Sequence, residues 1–155
     1  MMSDGRFHFW RRWFTWANVT TLGVGLLVAF AGNSLPLALH NDLTREVFFG
    51  GEAFSPEVLR LKNWLFGVIG ASIVGFHALM IMLSEYALRR REQWAYRAAW
   101  LGLLSWFGID TGVSLYHGAV HNVLLINLVA LVLIGLPLAM MRPAWTDAPV
   151  APRGE

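Results

Sequence analysis

Three polar side chains stand deep inside otherwise apolar runs of this sequence: His77, Asp110 and Asn127. An ionisable group at the centre of a membrane helix costs roughly 2.5–3.5 kcal/mol on insertion scales, so each such residue needs a partner or a purpose. Depth can be counted from the arginine that ends each run, namely Arg89, Arg97 and Arg142. At about 1.5 Å per helical residue, the three lie roughly 18, 20 and 22 Å in. A hydrocarbon core is about 30 Å thick, so three residues on three helices share nearly one level. An Asp beside a His can share a proton or form an ion pair, and the Asn amide can fill the remaining lone pairs. Two kinds of chemistry are open to such a cluster. It can be an interhelical hydrogen-bond network that fixes packing. It can also be a functional site, in which His77 and Asp110 relay protons or ions, or His77 serves as a heme ligand or quinone partner.

A second polar group lies near the chain's loops. His117 and His121 are four apart, a spacing that places two imidazoles on one helix face, and His40 closes a conceivable three-His outer site. A metal needs three or four ligands, and Gly118 can break the helix between the two, so solvated interfacial histidines are the competing reading. Glu85 sits four residues before Arg89, the spacing of a surface ion pair.

These residues must be positioned by membrane helices. The chain has 155 residues, 56% hydrophobic and 14% charged, with mean hydropathy +0.50. A soluble domain carries about 25% charged residues, and disorder needs low hydrophobicity. Both classes are excluded. There are no cysteines, which removes disulfides and thiolate chemistry. The net charge of +2 does not point to nucleic acid, because the arginines cluster beside apolar runs.

Four stretches are long enough to span, at about 13–39, 64–88, 94–116 and 121–141. The expected organisation is an N-terminal segment 1–12, a membrane domain 13–141 with an outer loop at 40–63, and a disordered tail 142–155 rich in proline. The first run is too long for the core of a cleaved signal and is expected to be retained. Arg11 and Arg12 precede span one, and Arg89, Arg90, Arg91 and Arg97 fill the connection between spans two and three. The positive-inside rule then puts both termini and this connection in the cytoplasm. Trp10, Trp13, Trp16, Trp64, Trp94 and Trp100 read as interfacial anchors. In the outer loop, Asp42–Val47 signals a short helix, and Ser55-Pro56-Glu57 signals a capped helix start running into span two. Gly67, Ala71 and Gly75 on span two and Gly108 and Gly112 on span three predict close packing of these two spans.

The run Asp110-Thr-Gly-Val-Ser-Leu-Tyr-His-Gly-Ala-Val-His-Asn-Val-Leu-Leu-Ile-Asn127, with Phe48-Phe-Gly-Gly-Glu before it, resembles small four-span bacterial membrane proteins of unassigned activity. The general plan is similar to that of four-span proteins of the DoxX type. The resemblance covers residues 42–140 and implies topology and a bacterial source, not a mechanism.

The sequence thus predicts an all-α integral membrane protein, a four-helix bundle with both termini inside, in a bacterial inner membrane. No Lys lies within a span, which excludes a retinal Schiff base, and P-loop, H-E-x-x-H and G-x-S-x-G motifs are absent. The expected role is a non-enzymatic subunit or oligomeric scaffold, partnered by the bilayer and by copies of itself or a larger membrane assembly. The alternatives are an oligomeric proton, ion or solute transporter using His77 and Asp110, and a heme- or quinone-binding redox protein. The sequence names no cofactor or metal.

Overall fold

The computed structural model describes residues 2–146, which form helices joined by short turns, with no strand. In chain order the helices are α1 (Asp4–Ala31), α2 (Ala38–Phe49), α3 (Pro56–Arg90), α4 (Gln93–Tyr116) and α5 (Val120–Trp145). Helices α1, α3 and α5 are each long and apolar enough to cross a membrane. Helix α4 is of similar length, but Arg97, Asp110 and several Ser, Thr and Gly residues dilute its hydropathy.

Local chemistry explains the boundaries. Asp4 lies in the first turn of α1, where a carboxylate suits the helix dipole. Residues 4–12 are therefore helix, not a separate leading segment, because Phe7 and Arg11 are buried on the packed face. The first helix also stops at Ala31, short of Leu39. Pro36 cannot donate to a continuing helix and sits in a 3₁₀ turn, Leu35–Leu37. Helix α2 ends on Gly50, whose φ of 58° is the left-handed conformation glycine adopts freely. Ser55 caps α3 as expected, accepting from the Val58 amide at 3.3 Å, with Pro56 in the first turn.

The turn between α3 and α4 uses a strained residue. Arg91 has φ of 58° although it carries a side chain. Its guanidinium lies over the Phe7 ring at 4.7 Å and pairs with Asp4, while its carbonyl accepts from the Trp145 indole at 2.7 Å. Trp145 in turn stacks on Tyr96, with ring centroids 4.4 Å apart, and meets Phe7 edge-on at 5.8 Å. This corrects the expected disorder for residues 142–146, which are drawn onto the fold by Trp145. Residues 147–155 of that tail lie outside the described residues.

Helices α1 and α3 run antiparallel in a heptad register. Asp4, Arg11, Asn18 and Gly25 are spaced by seven, and they meet Arg91, Ser84, His77 and Gly70, spaced by seven in the opposite direction. A seven-residue spacing keeps one seam facing the partner helix. At its tightest rung the backbones touch: a Cβ on Gly70 would lie 2.5 Å from the Gly25 carbonyl oxygen and 2.6 Å from the Ala29 amide nitrogen.

The glycines expected to join spans two and three do not do so. A Cβ at Gly67, Gly75, Gly108 or Gly112 would meet nothing within 4 Å. Ala71 is exposed as well. The reason is rotational phase: Gly70 and His77 turn that side of α3 to α1, so the Gly67–Ala71–Gly75 face points away. Helices α3 and α4 touch instead where Phe76 and Met80 reach Gly102.

The apolar core gathers at one end, between Phe7 and Phe14 of α1, Met80 and Leu88 of α3, Ala95, Ala99 and Leu103 of α4, and Ile134, Leu138 and Met141 of α5. This is the basic end, where Arg11, Arg12 and Arg89–Arg91 sit. Toward the opposite end, covered by α2, buried side chains are few.

One hydrogen bond closes the gap that proline opens in α5. Pro137 has no N–H, so the carbonyl of Leu133 one turn earlier lacks its usual donor. The Trp13 indole of α1 donates to it at 3.2 Å. Trp13 thus does more than anchor at an interface. Trp13→Phe is expected to cost about 1 kcal/mol of stability. In a Pro137→Ala background, where the Ala amide takes that carbonyl, the same change should cost almost nothing. Unfolding of the four proteins of this cycle in mixed micelles measures it, and equal costs in both backgrounds would refute the role.

Candidate functional site

The structure divides the three deep residues between two networks. His77 belongs to the α1–α3 seam, and its partner is Asn18, a residue the sequence reading passed over. Asn18 is fully buried and its Nδ2 donates to the Phe14 carbonyl at 2.7 Å. Its Oδ1 therefore faces His77 Nδ1, 2.7 Å away. An amide oxygen only accepts, so Nδ1 must carry the proton. In the neutral ring Nε2 is then the bare nitrogen.

One heptad toward the basic end, Arg11 is also buried. Its Nη1 donates to Glu85 Oε1 at 2.7 Å and to the Ser84 carbonyl at 3.3 Å. Thr15 Oγ1 adds bonds to Glu85 at 3.0 Å and to Ser84 Oγ at 2.7 Å. Arg11 Nε is buried without a partner. Glu85 thus pairs across the helices with Arg11, not along its own helix with Arg89. Both Ser84 and Glu85 lie in a π turn at Leu83–Ala87. Of the arginines read as orientation charges, Arg12, Arg89, Arg90, Arg91 and Arg97 stay exposed while Arg11 has become an internal countercharge.

Asp110 and Asn127 do meet, at the interface of α4 and α5. Asp110 Oδ1 accepts from Asn127 Nδ2 at 2.8 Å, Asn122 Nδ2 at 2.8 Å and Ser114 Oγ at 3.2 Å. Asn127 Nδ2 also reaches Thr111 Oγ1 at 3.0 Å. Asn122 and Asn127 are five residues apart, about 140° around an α-helix of 3.6 residues per turn. They converge because the π turn Val123–Asn127 closes its hydrogen bonds over five residues. Every contact to Oδ1 comes from a donor. The fully buried Asn127 keeps its own Oδ1 without any partner.

This network continues toward α2. Asn122 Nδ2 is committed to Asp110 and Ser114, so its oxygen faces His40 Nε2 at 3.3 Å, and His40 must donate. The His40 and His121 rings meet edge-on with centroids 5.1 Å apart. Thr44 Oγ1 donates to the His40 carbonyl at 2.7 Å and lies 3.0 Å from His121 Nε2, which must therefore donate to it. His117 stands apart, beside Phe48 at 6.3 Å, because Gly118 at φ 73° breaks the chain between α4 and α5. Among the described residues no three His, Cys, Asp or Glu side chains gather as a metal site, so His40, His117 and His121 do not form the three-His arrangement.

No protein-family model, curated protein or solved structure matches this chain.

Two measurements test this geometry. A cycle of Asp110→Ala and Asn127→Ala should show a coupling of about 1 kcal/mol, while Asp110→Ala and His77→Ala should add independently. Coupling of the second pair and none of the first would invert the assignment. Nitrogen-15 spectra of labelled histidine should show His77 protonated at Nδ1, and a neutral ring protonated at Nε2 would contradict the Asn18 contact.

Proposed function

We propose that the protein is a non-enzymatic membrane scaffold, assembling with copies of itself or as a subunit of a larger complex. The observation that carries this reading is the outward direction of the small-residue faces, Gly67–Ala71–Gly75 on α3 and Gly108–Gly112 on α4. Small residues let membrane helices approach closely, and these faces have no helix of their own chain against them. The deep polar groups support it too, since Asn18–His77 and Arg11–Glu85 pin α1 to α3 and Asp110–Asn127 pins α4 to α5. In this reading α4 is a fourth span, its 24 residues reaching about 36 Å, and the arginine-bearing basic end faces the cytoplasm of a bacterial inner membrane.

Gly75→Leu and Gly108→Leu test it, because a Cβ at either position meets nothing of its own chain within 4 Å. Both variants should fold with unchanged helix content yet lose the assembly seen for the wild type by mass photometry in nanodiscs or by co-purification. A wild type that is a partnerless monomer in mild detergent, or variants that assemble as before, would overturn the proposal.

A second reading, an oligomeric transporter, rests on the unpartnered Asn127 Oδ1 beside Asp110 and on the hydrogen-bonded path from Asp110 through Asn122 to His40. His77 lies on the other helix pair and is no part of that path. Proteoliposome flux that survives Asp110→Asn unchanged would remove it.

A further inference from the structure

We propose that the groove along α1 and α3 at the basic end binds the phosphate of an anionic phospholipid, with an acyl chain lying along α1. The groove has a volume of about 1200 Å³ and is lined on α1 by His8, Arg12, Trp16 and Thr20, each four residues from the last, and on α3 by Glu85 and Arg89. Fours place the α1 residues on one face of the helix. Glu85 would repel a phosphate, but Arg11 lies in the groove wall and takes its carboxylate at 2.7 Å. Arg12 and Arg89 then face the groove with no carboxylate within ion-pair distance among the described residues. Arg11 is nine-tenths buried and spends its charge on Glu85, so Arg12 and Arg89 carry the net positive charge of the groove.

Two guanidiniums suit the charge-assisted, forked hydrogen bonding of a phosphate. Basic pockets between membrane helices are where anionic headgroups bind. A free phosphate would explain the arginines alone. The rest of the groove favours the lipid. From Arg12 to Thr20 it runs about 12 Å along the helix axis, away from the arginines and into the apolar part of α1. Trp16, two-thirds exposed, and Ala17 lie on that track. A polar head at Arg12 and Arg89 with a chain passing Trp16 matches an amphiphile in its charge and in the order of its polar and apolar parts.

The test uses the full chain in nanodiscs containing a small fraction of lipid brominated on its acyl chains, which quenches nearby tryptophan. Brominated phosphatidylglycerol should quench at lower mole fraction than brominated phosphatidylcholine, by about tenfold. Trp16→Phe should remove part of the quenched signal. Arg12→Gln with Arg89→Gln should abolish the preference. Arg90→Gln with Arg97→Gln removes the same charge outside the groove and should leave the preference intact. Equal quenching by the two lipids, or equal loss in both double variants, would overturn the proposal. Millimolar inorganic phosphate should not relieve the quenching; relief would make a free anion the occupant and overturn the lipid assignment.

Discussion

The fold depends on one backbone contact, the approach of Gly25 to Gly70. Any side chain at Gly70 would collide with the carbonyl oxygen and amide nitrogen of α1, so the contact sets how close the two helices lie and how they are rotated. Everything else on the seam follows at multiples of seven. One heptad from Gly25 and Gly70, Asn18 reaches His77, and one more brings Arg11 to Ser84 and Glu85. The last rung, Asp4 to Arg91, ties the helix start to the turn. Asn18 is fully buried with no solvent to satisfy it, and within lipid hydrophobicity does not drive helices together. Proximity set by glycine is what makes these polar bonds short, and the bonds in turn fix the register that the glycines allow.

The second helix pair solves a different problem by a different device. Asp110 needs donors, and α5 supplies two amides that regular helix geometry would point apart. The π turn at Val123–Asn127 brings them together. A second π turn at Leu131–Gly135 precedes Pro137, where the Leu133 carbonyl is left for Trp13. Helix α5 is thus irregular where it meets polar partners. Its last turns, Ile134, Leu138 and Met141, join the dense core at the basic end. The two pairs are joined mainly at that end, and α2 reaches across the other through His40 and Thr44.

The apolar content, the approximate helix positions and the Ser55-Pro56-Glu57 start were legible in the sequence because they rest on local composition and capping. The pairing of deep residues was not. Depth counted from the arginines put His77 level with Asp110, but depth says nothing about rotation around a helix axis. Apolar periodicity does not single out Asn18, because the α1 seam is written in Asp, Arg, Asn and Gly at intervals of seven. The small-residue stripes were legible as close-packing surfaces, yet the side they face depends on that seam. The convergence of Asn122 and Asn127 was invisible for another reason: a π turn breaks the 3.6-residue rule on which any face assignment relies.

The two buried networks differ in a way that bears on function. Glu85 meets a guanidinium, so the pair closes on itself electrically. Asp110 meets only neutral donors, two amides and a hydroxyl. Those three bonds would be accepted equally by the oxygen of an asparagine, so packing alone does not call for a carboxyl group here. An acid at this position carries a cost in a low-dielectric setting that an amide would avoid. The neighbouring Asn127 Oδ1, buried and unpartnered, adds a second acceptor where a donor or a cation would be stabilising. The surplus of acceptors, and not the depth of Asp110, is what separates the α4–α5 network from a simple interhelical pin.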